Sequence, residues 1–145
     1  MRFLTKSGVY AVVACLYLAK YRPDSGYIAV KEVGIRLKIP YSYLSKIIQS
    51  LSSAGILKTR RCSGGGMALN RSTSGILLKE IIEAIDGPLT VPSSLIELEN
   101  QSGVISFKST TPEWNSIRSQ IEAMFDTITL EKLASSTSLL LEKGD

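Results

Sequence analysis

Two short stretches of this chain carry side chains suited to hydrogen bonding and charge rather than to catalysis. The first contains Ser42, Tyr43, Ser45, Lys46 and Gln49, with no acidic residue among them. Such side chains can reach the edges of nucleic-acid bases, and a glutamine amide can pair with adenine through two hydrogen bonds. The second places Arg60 and Arg61 just before a glycine-rich segment, where guanidinium groups can contact phosphate. The alternative for both stretches is an ordinary solvated surface.

The residues on which most catalytic and metal chemistry depends are few. The chain has no histidine and two cysteines, Cys15 and Cys62. Without imidazole there is no Ser-His or Cys-His nucleophile and no histidine metal ligand. The two distant cysteines match neither a zinc nor a Cys-x-x-Cys redox pattern. We therefore expect that the protein is not an enzyme. The alternative, that it is one, would require a carboxylate in a loop to carry the chemistry.

The two cysteines have different surroundings in the sequence. Cys15 belongs to an apolar stripe, which predicts a core position. Cys62 follows Arg60 and Arg61, whose positive charge favours the thiolate. Cys62 is therefore either a redox switch or a passive surface thiol.

Positive charge is concentrated in the first half of the chain. Residues 1–71 contain twelve Lys and Arg and two acidic residues, a net charge of +10. Residues 72–145 contain five Lys and Arg and eleven acidic residues, a net charge of −6. Such an excess predicts a polyanionic partner for the first half. A solvated, lysine-rich surface is the alternative.

Length and composition indicate a globular protein. The chain has 145 residues, of which 44% are hydrophobic and 21% charged, enough to bury a core. The longest apolar run, residues 9–19, is about half of the roughly 20 residues that a membrane-spanning helix needs. Residues 1–6 do not resemble the start of a secretory signal. We expect a cytoplasmic protein without membrane contact.

The elements that would position the polar stretches are three helices. A helix capped by Thr5 or Ser7 is predicted to run to about residue 20. A second follows from Val30 and is interrupted near Pro40, because proline disfavours helix at the preceding residue. The third helix begins there and carries an apolar stripe composed of Leu44, Ile47, Ile48 and Leu51.

A basic hairpin is predicted after these helices. Strand-like segments at 56–60 and 67–69 flank a run that contains three glycines, which permits a tight reversal. Three helices followed by a hairpin is the order of a winged helix-turn-helix, in which the third helix enters the major groove. The predicted fold class is mostly α with a small β-hairpin wing.

The rest of the chain is predicted to form a helix at 76–85, a long loop, a helix from Pro112 and a last amphipathic segment at 130–141. Within the loop, an extended piece is expected at 104–107. Apolar residues recur at intervals of 3, 4, 3 and 4 in the helix from Pro112, the spacing of a helix–helix seam. The seam consists of Trp114, Ile117, Ile121, Met124 and Ile128. The predicted division is residues 1–87, a DNA-binding domain; residues 88–111, a loop; and residues 112–145, the dimerisation helix and C-terminal helix.

Several motifs resemble the bacterial Rrf2 family of winged helix-turn-helix transcription regulators. They are Thr5-Lys6-Ser7-Gly8-Val9-Tyr10-Ala11, Val30-Lys31-Glu32-Val33, Ile39-Pro40-x-x-Tyr43-Leu44-x-x-Ile47, Leu51-x-x-Ala54-Gly55-Ile56-Leu57, Arg61-x-x-Gly64-Gly65-Gly66-x-x-Leu69, Ile82-x-x-Ile85-Asp86-Gly87-Pro88 and Ile128-Thr129-Leu130-Glu131-Lys132-Leu133. The match spans about residues 2–135. It implies a homodimer in which the helix from Pro112 crosses its mate and each wing contacts a minor groove of a palindromic operator.

Two departures from the family pattern stand out. Cluster-binding members carry three cysteines in the loop before the dimer helix, whereas residues 88–112 contain none. Glu97 and Glu99 in this loop are solvated charges or, alternatively, ligands. Because cluster iron is held mainly by thiolates, we expect no iron–sulfur cluster, no other cofactor and no metal. The second departure is Gly34, where the family tends to have alanine, at a cost of about 1 kcal/mol in helix propensity.

Together the residues and the resemblance predict a sequence-specific DNA-binding transcription regulator, a repressor that acts as a homodimer on double-stranded DNA. The alternative is a winged-helix module that binds protein or RNA. Arg2, Lys6 and Lys31 lie near the starts of the first two helices, where phosphate can bind. The predicted DNA-binding residues are Arg2, Lys6, Lys31, Ser42, Tyr43, Ser45, Lys46, Gln49, Arg60, Arg61, Ser63 and Gly64.

Overall fold

The elements of the fold follow the predicted order. A computed structural model describes residues 4–21, 26–61, 65–99 and 106–136. In chain order the elements are α1 (Lys6–Lys20), α2 (Val30–Leu37), α3 (Tyr41–Ser53), β1 (Leu57–Arg60), β2 (Gly66–Leu69), α4 (Leu78–Asp86), β3 (Ile96–Glu99), β4 (Ser106–Ser109), α5 (Pro112–Thr127) and α6 (Leu130–Ser136), with a 3-10 turn at Thr73–Gly75. They form two compact units: the large unit, Met1–Leu89 with Ile128–Asp145, and the small unit, Thr90–Thr127.

The core of the large unit is built from the apolar faces of its helices and the inner face of its hairpin. The predicted stripe of α3 is buried, and Cys15 of α1 is fully buried, as predicted. Each buried aliphatic side chain contributes about 1.5–3 kcal/mol to folding. The opposite face of α3 is thereby held outward. The largest fully buried side chains among the described residues are Cys15, Val33, Leu44, Leu51, Ile56, Leu57, Met67, Ile76, Ile81, Ile82 and Leu130.

A tight turn joins α2 to α3. Lys38 ends α2 in the left-handed conformation, with φ at 55°, and the Ile39 N–H donates to the Gly34 carbonyl at 3.0 Å. A Cβ on residue 34 would lie 3.3 Å from the Ile39 carbonyl oxygen, closer than most Cβ contacts. A side chain at position 34 would therefore require its neighbours to shift by a few tenths of an ångström, which offsets part of the helix propensity that glycine loses relative to alanine.

The wing is a two-stranded antiparallel hairpin that is extended by one residue from the α1–α2 connection. Arg60 lies opposite Gly66, and Leu57 lies opposite Leu69. Ile28 and Met67 exchange two backbone hydrogen bonds of 2.9 Å on the other edge of β2. A Cβ on Gly66, whose φ is 144°, would overlap the Ile28 carbonyl. The glycine therefore permits this backbone crossing. The predicted fold class, mostly α with a β-hairpin wing, is confirmed.

A side-chain clasp ties the start of α1 to the end of α4. Thr5 caps α1 by accepting from the Gly8 N–H at 3.0 Å, and its hydroxyl donates to Asp86 Oδ1 at 2.5 Å. A Cβ on Gly8 would lie 2.6 Å from Asp86 Oδ2. The carboxylate also lies where the positive end of the α1 dipole favours it. The clasp gives a physical reason for the Thr5, Gly8 and Asp86 motif residues.

The C-terminal part of the chain divides differently from the prediction. Residues 88–111, predicted as a loop, contain the antiparallel pair β3 and β4, in which Ile96 lies opposite Ser109. Helix α6, predicted to belong with the dimerisation helix, belongs to the large unit. There Leu130 is fully buried, and its N–H donates to the Ile76 carbonyl at 2.8 Å. The predicted continuation of this helix over 137–141 lies outside the described residues.

Candidate nucleic-acid interface

The outward face of α3 is polar, extended and free of acidic residues. In the first three turns of the helix the exposed side chains are Tyr41, Ser42, Tyr43, Ser45, Lys46 and Gln49, and Ser53 is exposed at its end. Because the stripe opposite is buried, these residues cannot rotate inward without loss of the core. The predicted set on α3 is thus assembled on one accessible face, with the donors and acceptors that base edges and phosphates require.

Two tyrosines connect this face to the start of α1. The Tyr43 ring packs edge-on against the Tyr10 ring, with centroids 6.0 Å apart, while 45% of Tyr43 remains exposed. The Lys6 ammonium lies 5.7 Å from the centroid of the Tyr10 ring. Edge-to-face ring pairs and cation–π contacts both have defined geometry. Tyr10 therefore orients both Lys6 and Tyr43. The sequence did not indicate this role for Tyr10.

An open cleft of about 540 Å³ adjoins this face. It lies between the start of α1, the exposed side of α3 and the end of α4. Ser7, Ser42 and Lys46 contribute hydroxyl and ammonium groups to its lining, and Asp86 contributes a carboxylate. The Thr5 clasp already engages that carboxylate. The remaining polar groups are donors of the kind that a sugar–phosphate backbone accepts.

Predicted phosphate-binding residues lie at two helix starts. Lys6 is the first residue of α1 and Lys31 the second of α2, and both side chains are exposed. Cations near free backbone N–H groups at a helix start can hold an anion together with them. Arg2, which was assigned to the same role, lies outside the described residues.

The wing contributes a second set of cations. Lys58, Arg60 and Arg61 are exposed, and Lys58 and Arg60 both lie over the ring of Tyr27. Neither Tyr27 nor Lys58 was among the predicted site residues, because only the pairing of Ile28 with Met67 brings Tyr27 to β1. Cys62, Ser63 and Gly64 lie outside the described residues.

One residue of the basic half has a structural role instead. Arg71 Nη1 lies 3.2 Å from both carboxylate oxygens of Glu80 and 3.0 Å from the Gly75 carbonyl oxygen. Glu80 in turn accepts from the Leu77 N–H at the start of α4. Arg71 therefore fastens the 3-10 turn to α4, and the +10 charge of residues 1–71 overstates the charge that faces outward.

The buried titratable groups are unreactive. Burial raises the pKa of the Cys15 thiol to about 12, so it stays protonated at neutral pH. Burial, and then the negative charge of Glu32, raise the pKa of Tyr17. Neither group provides a nucleophile or a base near neutral pH.

These side chains do not fit an iron–sulfur cluster. Clusters are held mainly by three or four cysteine thiolates, whereas this chain has two cysteines. One of them, Cys15, is fully buried in the core and is held in its protonated form. In the part of the chain that the structure describes, no three His, Cys, Asp or Glu side chains come together as a metal site. The same ranges contain no helix with the length and hydropathy that a bilayer crossing requires.

This architecture defines a class, the winged helix-turn-helix DNA-binding transcription regulators. It consists of three helices and a wing with exposed cations, and the outward face of the third helix carries no acidic residue. The chain belongs more narrowly to the Rrf2 family, described as iron-dependent transcriptional regulators, whose model matches residues 4–136. The predicted family and DNA-binding regulatory function are thereby confirmed. Because the related proteins are transcription regulators, the expectation that the chain is not an enzyme is also confirmed.

The similarity to individual relatives extends over most of the chain. It is 30% identical over 130 residues to the HTH-type transcriptional regulator IscR of Photobacterium profundum, covering 90% of this chain and 74% of that protein. The structure of CymR, the global cysteine regulator of B. subtilis, superimposes with a TM-score of 0.75 at 27% identity, covering 95% of this chain and all of CymR. IscR of T. potens shares the fold, with a TM-score of 0.66 at 24% identity over 94% of this chain and 93% of the other.

Proposed function

We propose that this regulator is a cytoplasmic repressor that binds a palindromic operator as a homodimer. The observation that carries the proposal is the exposed, acid-free face of α3, held outward by the buried stripe on its other side. In winged helix-turn-helix proteins a helix with this placement enters the major groove. A dimer that occupies two half-sites about one helical turn apart would exclude RNA polymerase from an overlapping promoter.

Each part of the interface has a distinct task in this proposal. Ser42, Ser45, Lys46 and Gln49 contact base edges, and Tyr43 contacts the adjoining backbone. Arg60, Arg61, Ser63 and Gly64 of the wing contact the neighbouring minor groove and its phosphates. Lys6, Lys31 and Arg2 bind phosphates beside the first two helices.

The homodimer is supported by α5. None of the 16 residues of this helix is buried, and Ile117 and Met124 are 50% and 43% exposed. Trp114 is half-buried, and its indole N–H donates to the Pro92 carbonyl at 3.0 Å. A helix whose apolar residues recur at 3 and 4 positions gains stability when a second helix covers that seam. The occupant that fits is the α5 helix of a second copy.

We also propose that DNA binding by this member requires no iron–sulfur cluster. The support is the chain's own donor set: two cysteines, one of them a buried, protonated thiol. The protein purified anaerobically should be colourless, and treatment with an iron chelator should leave its affinity for DNA unchanged. A brown protein that contains iron and sulfide would contradict this part of the proposal.

A salt titration tests whether the basic face binds duplex DNA. Genomic fragments selected by the purified protein serve as the duplex probe, and a structured RNA of equal length serves as the control. If a dimer neutralises about 6 to 10 phosphates, the duplex affinity should fall by about 10³ to 10⁵ between roughly 50 and 200 mM salt. An inverted repeat shared by the selected fragments is expected. A salt-independent affinity, or equal affinity for the RNA, would contradict the proposal and favour the RNA- or protein-binding alternative.

A further inference from the structure

The ring of Tyr27 lies against two cations of the wing. The Arg60 guanidinium carbon is 4.9 Å from the ring centroid, and the Lys58 ammonium nitrogen is 5.7 Å from it. Both distances are within the range at which an aromatic face attracts a cation. Tyr27 is half-buried, whereas both cations are exposed.

The backbone explains this arrangement. Pairing of Ile28 with Met67 places Tyr27 beside Ala68, and Ala68 is itself paired with Lys58 on the far side of β2. Arg60 lies two residues after Lys58, so the two side chains leave the same face of β1. Because Ala68 has a short side chain, the Tyr27 ring can extend across β2 towards both cations.

Two positive charges lie close to the same ring at this place. Within the described residues, neither Lys58 nor Arg60 forms an ion pair with a carboxylate. Two like charges this close repel each other, and the ring quadrupole offsets part of that repulsion. The tyrosine ring thus keeps two positive charges together at one edge of the wing, where a polyanion can bind. It also restricts the rotamers of the Lys58 and Arg60 side chains before binding, so that binding costs less conformational entropy.

We propose that Tyr27 is a positioning residue for DNA binding: its ring holds Lys58 and Arg60 in place for the phosphates beside the wing. The inference rests on the proposed role of the wing in DNA contact, and it adds Lys58 to the wing cations that take part. Tyr27 acts through these cations and need not touch DNA. Its phenyl ring, rather than its hydroxyl, carries the effect.

The test compares Tyr27→Leu with Tyr27→Phe in the full chain. The affinity for a labelled mixed-sequence duplex of about 30 bp, long enough for two half-sites, is measured beside the thermal midpoint of unfolding. A lost cation–π contact should weaken binding about two- to fivefold per wing, so about 4- to 25-fold for a dimer with two wings. Tyr27→Phe should bind within about twofold of the wild type, since it keeps the ring.

A double-variant comparison separates positioning from simple folding. In a Lys58→Ala/Arg60→Ala background, Tyr27→Leu should cause no further loss of affinity, because the groups that it positions are gone. Three results would overturn the inference: full affinity in Tyr27→Leu, an equal loss in Tyr27→Phe, or the same Tyr27→Leu loss in the Lys58→Ala/Arg60→Ala background. If Lys58→Ala/Arg60→Ala alone leaves the affinity unchanged, the wing does not contact DNA, and the inference falls with that part of the proposed function.

Discussion

At the scale of single residues, the proposed function assigns sequence reading and charge to different groups of the large unit. Gln49 and Lys46 are exposed on α3, where side chains can reach base edges, whereas Arg61 follows β1 at the wing. Contacts to bases discriminate between sequences, while contacts to phosphates strengthen binding to any duplex. The two kinds of residue should therefore respond differently to truncation.

We expect Gln49→Ala to relax sequence preference and Arg61→Ala to weaken binding to operator and random DNA alike. Loss of a bidentate base contact costs about 1–3 kcal/mol of discrimination, and loss of one phosphate contact lowers the salt dependence instead. Competition binding against single-base operator variants measures the difference, with Lys46→Ala expected to follow Gln49→Ala. Unchanged specificity in Gln49→Ala would count against our placement of the recognition residues.

Cys15 provides a pH-dependent prediction. Its pKa is raised from 9.0 to about 12 in the folded protein, so only the unfolded state ionises between these values. The stability that depends on the neutral thiol is therefore complete below pH 9 and is lost as pH rises towards 12. Relative to Cys15→Ala, the wild type should lose about 1 kcal/mol of unfolding free energy between about pH 7 and pH 10. Urea unfolding of both proteins at each pH checks this, and parallel pH profiles would contradict it.

Many single residues were predictable because their roles follow from local pattern. The α3 stripe and the Cys15 core position needed only helical periodicity. Tyr27 and Asp86 were missed because their partners are distant in sequence: strand pairing brings Tyr27 to Arg60, and helix packing brings Asp86 to Thr5. No local spacing encodes such contacts.

At the scale of elements, the turn between α2 and α3 sets how the outward face of α3 is presented. Lys38 has a φ of 55°, a conformation that costs a residue with a Cβ about 1–2 kcal/mol. Gly34 gives the returning chain room at Ile39. The connection between α2 and α3 thus depends on a glycine in α2 that leaves room for the returning chain and on a lysine whose backbone is strained.

The effect of replacing Lys38 on the free energy of unfolding should therefore depend on how readily the new residue adopts the left-handed conformation. We expect Lys38→Gly to be more stable than Lys38→Ala by about 1 kcal/mol, because both lack the lysine side chain and only alanine retains the left-handed strain. Chemical denaturation gives the two unfolding free energies. Equal values, or a more stable alanine variant, would show that the left-handed turn does not limit stability.

Most of the helix and strand positions were predictable from local sequence signals, and the main exception is the β3–β4 hairpin. Thr5 caps α1, as the sequence indicated, since its hydroxyl accepts from the Gly8 N–H. Thr111 caps α5 in the same way by accepting from the Trp114 N–H. Strand β4 (Ser106–Ser109) overlaps the extended piece expected at 104–107, whereas its partner β3 was missed because it has only four residues and follows a polar stretch. Its alternating segment Ile96-Glu97-Leu98-Glu99 was the signal that could have revealed it.

At the scale of the whole molecule, the basic surface and the apolar seam helix are formed by different parts of the chain. Helices α1, α2 and α3 and the wing carry exposed cations, among them Lys6, Lys31, Lys46 and Arg60, and α5 exposes the apolar residues Ile117 and Met124. The first group suits a polyanion and the second a helix of like sequence. A change in the α5 seam should therefore remove the dimer while leaving the basic surface of each chain intact.

We expect Ile121→Glu to abolish dimerisation, because it places an unpaired charge in the α5 seam. Gln120→Glu adds the same charge at the neighbouring exposed position and is the matched control. Sedimentation should give a monomer for the first variant and a dimer for the second, and both should retain the helical far-UV circular dichroism spectrum of the wild type. An Ile121→Glu protein that still sediments as a dimer would place the interface elsewhere.

Binding to duplexes with one or two half-sites tests most directly whether a homodimer reads a palindromic operator. Both duplexes are derived from the selected genomic inverted repeat, have equal length and differ only in whether the second half-site is scrambled. Two linked binding modules gain an avidity of about 10² to 10⁴ over one, so the palindrome should bind that much more tightly, with two chains per duplex. Equal affinities with one chain bound per duplex would contradict the account.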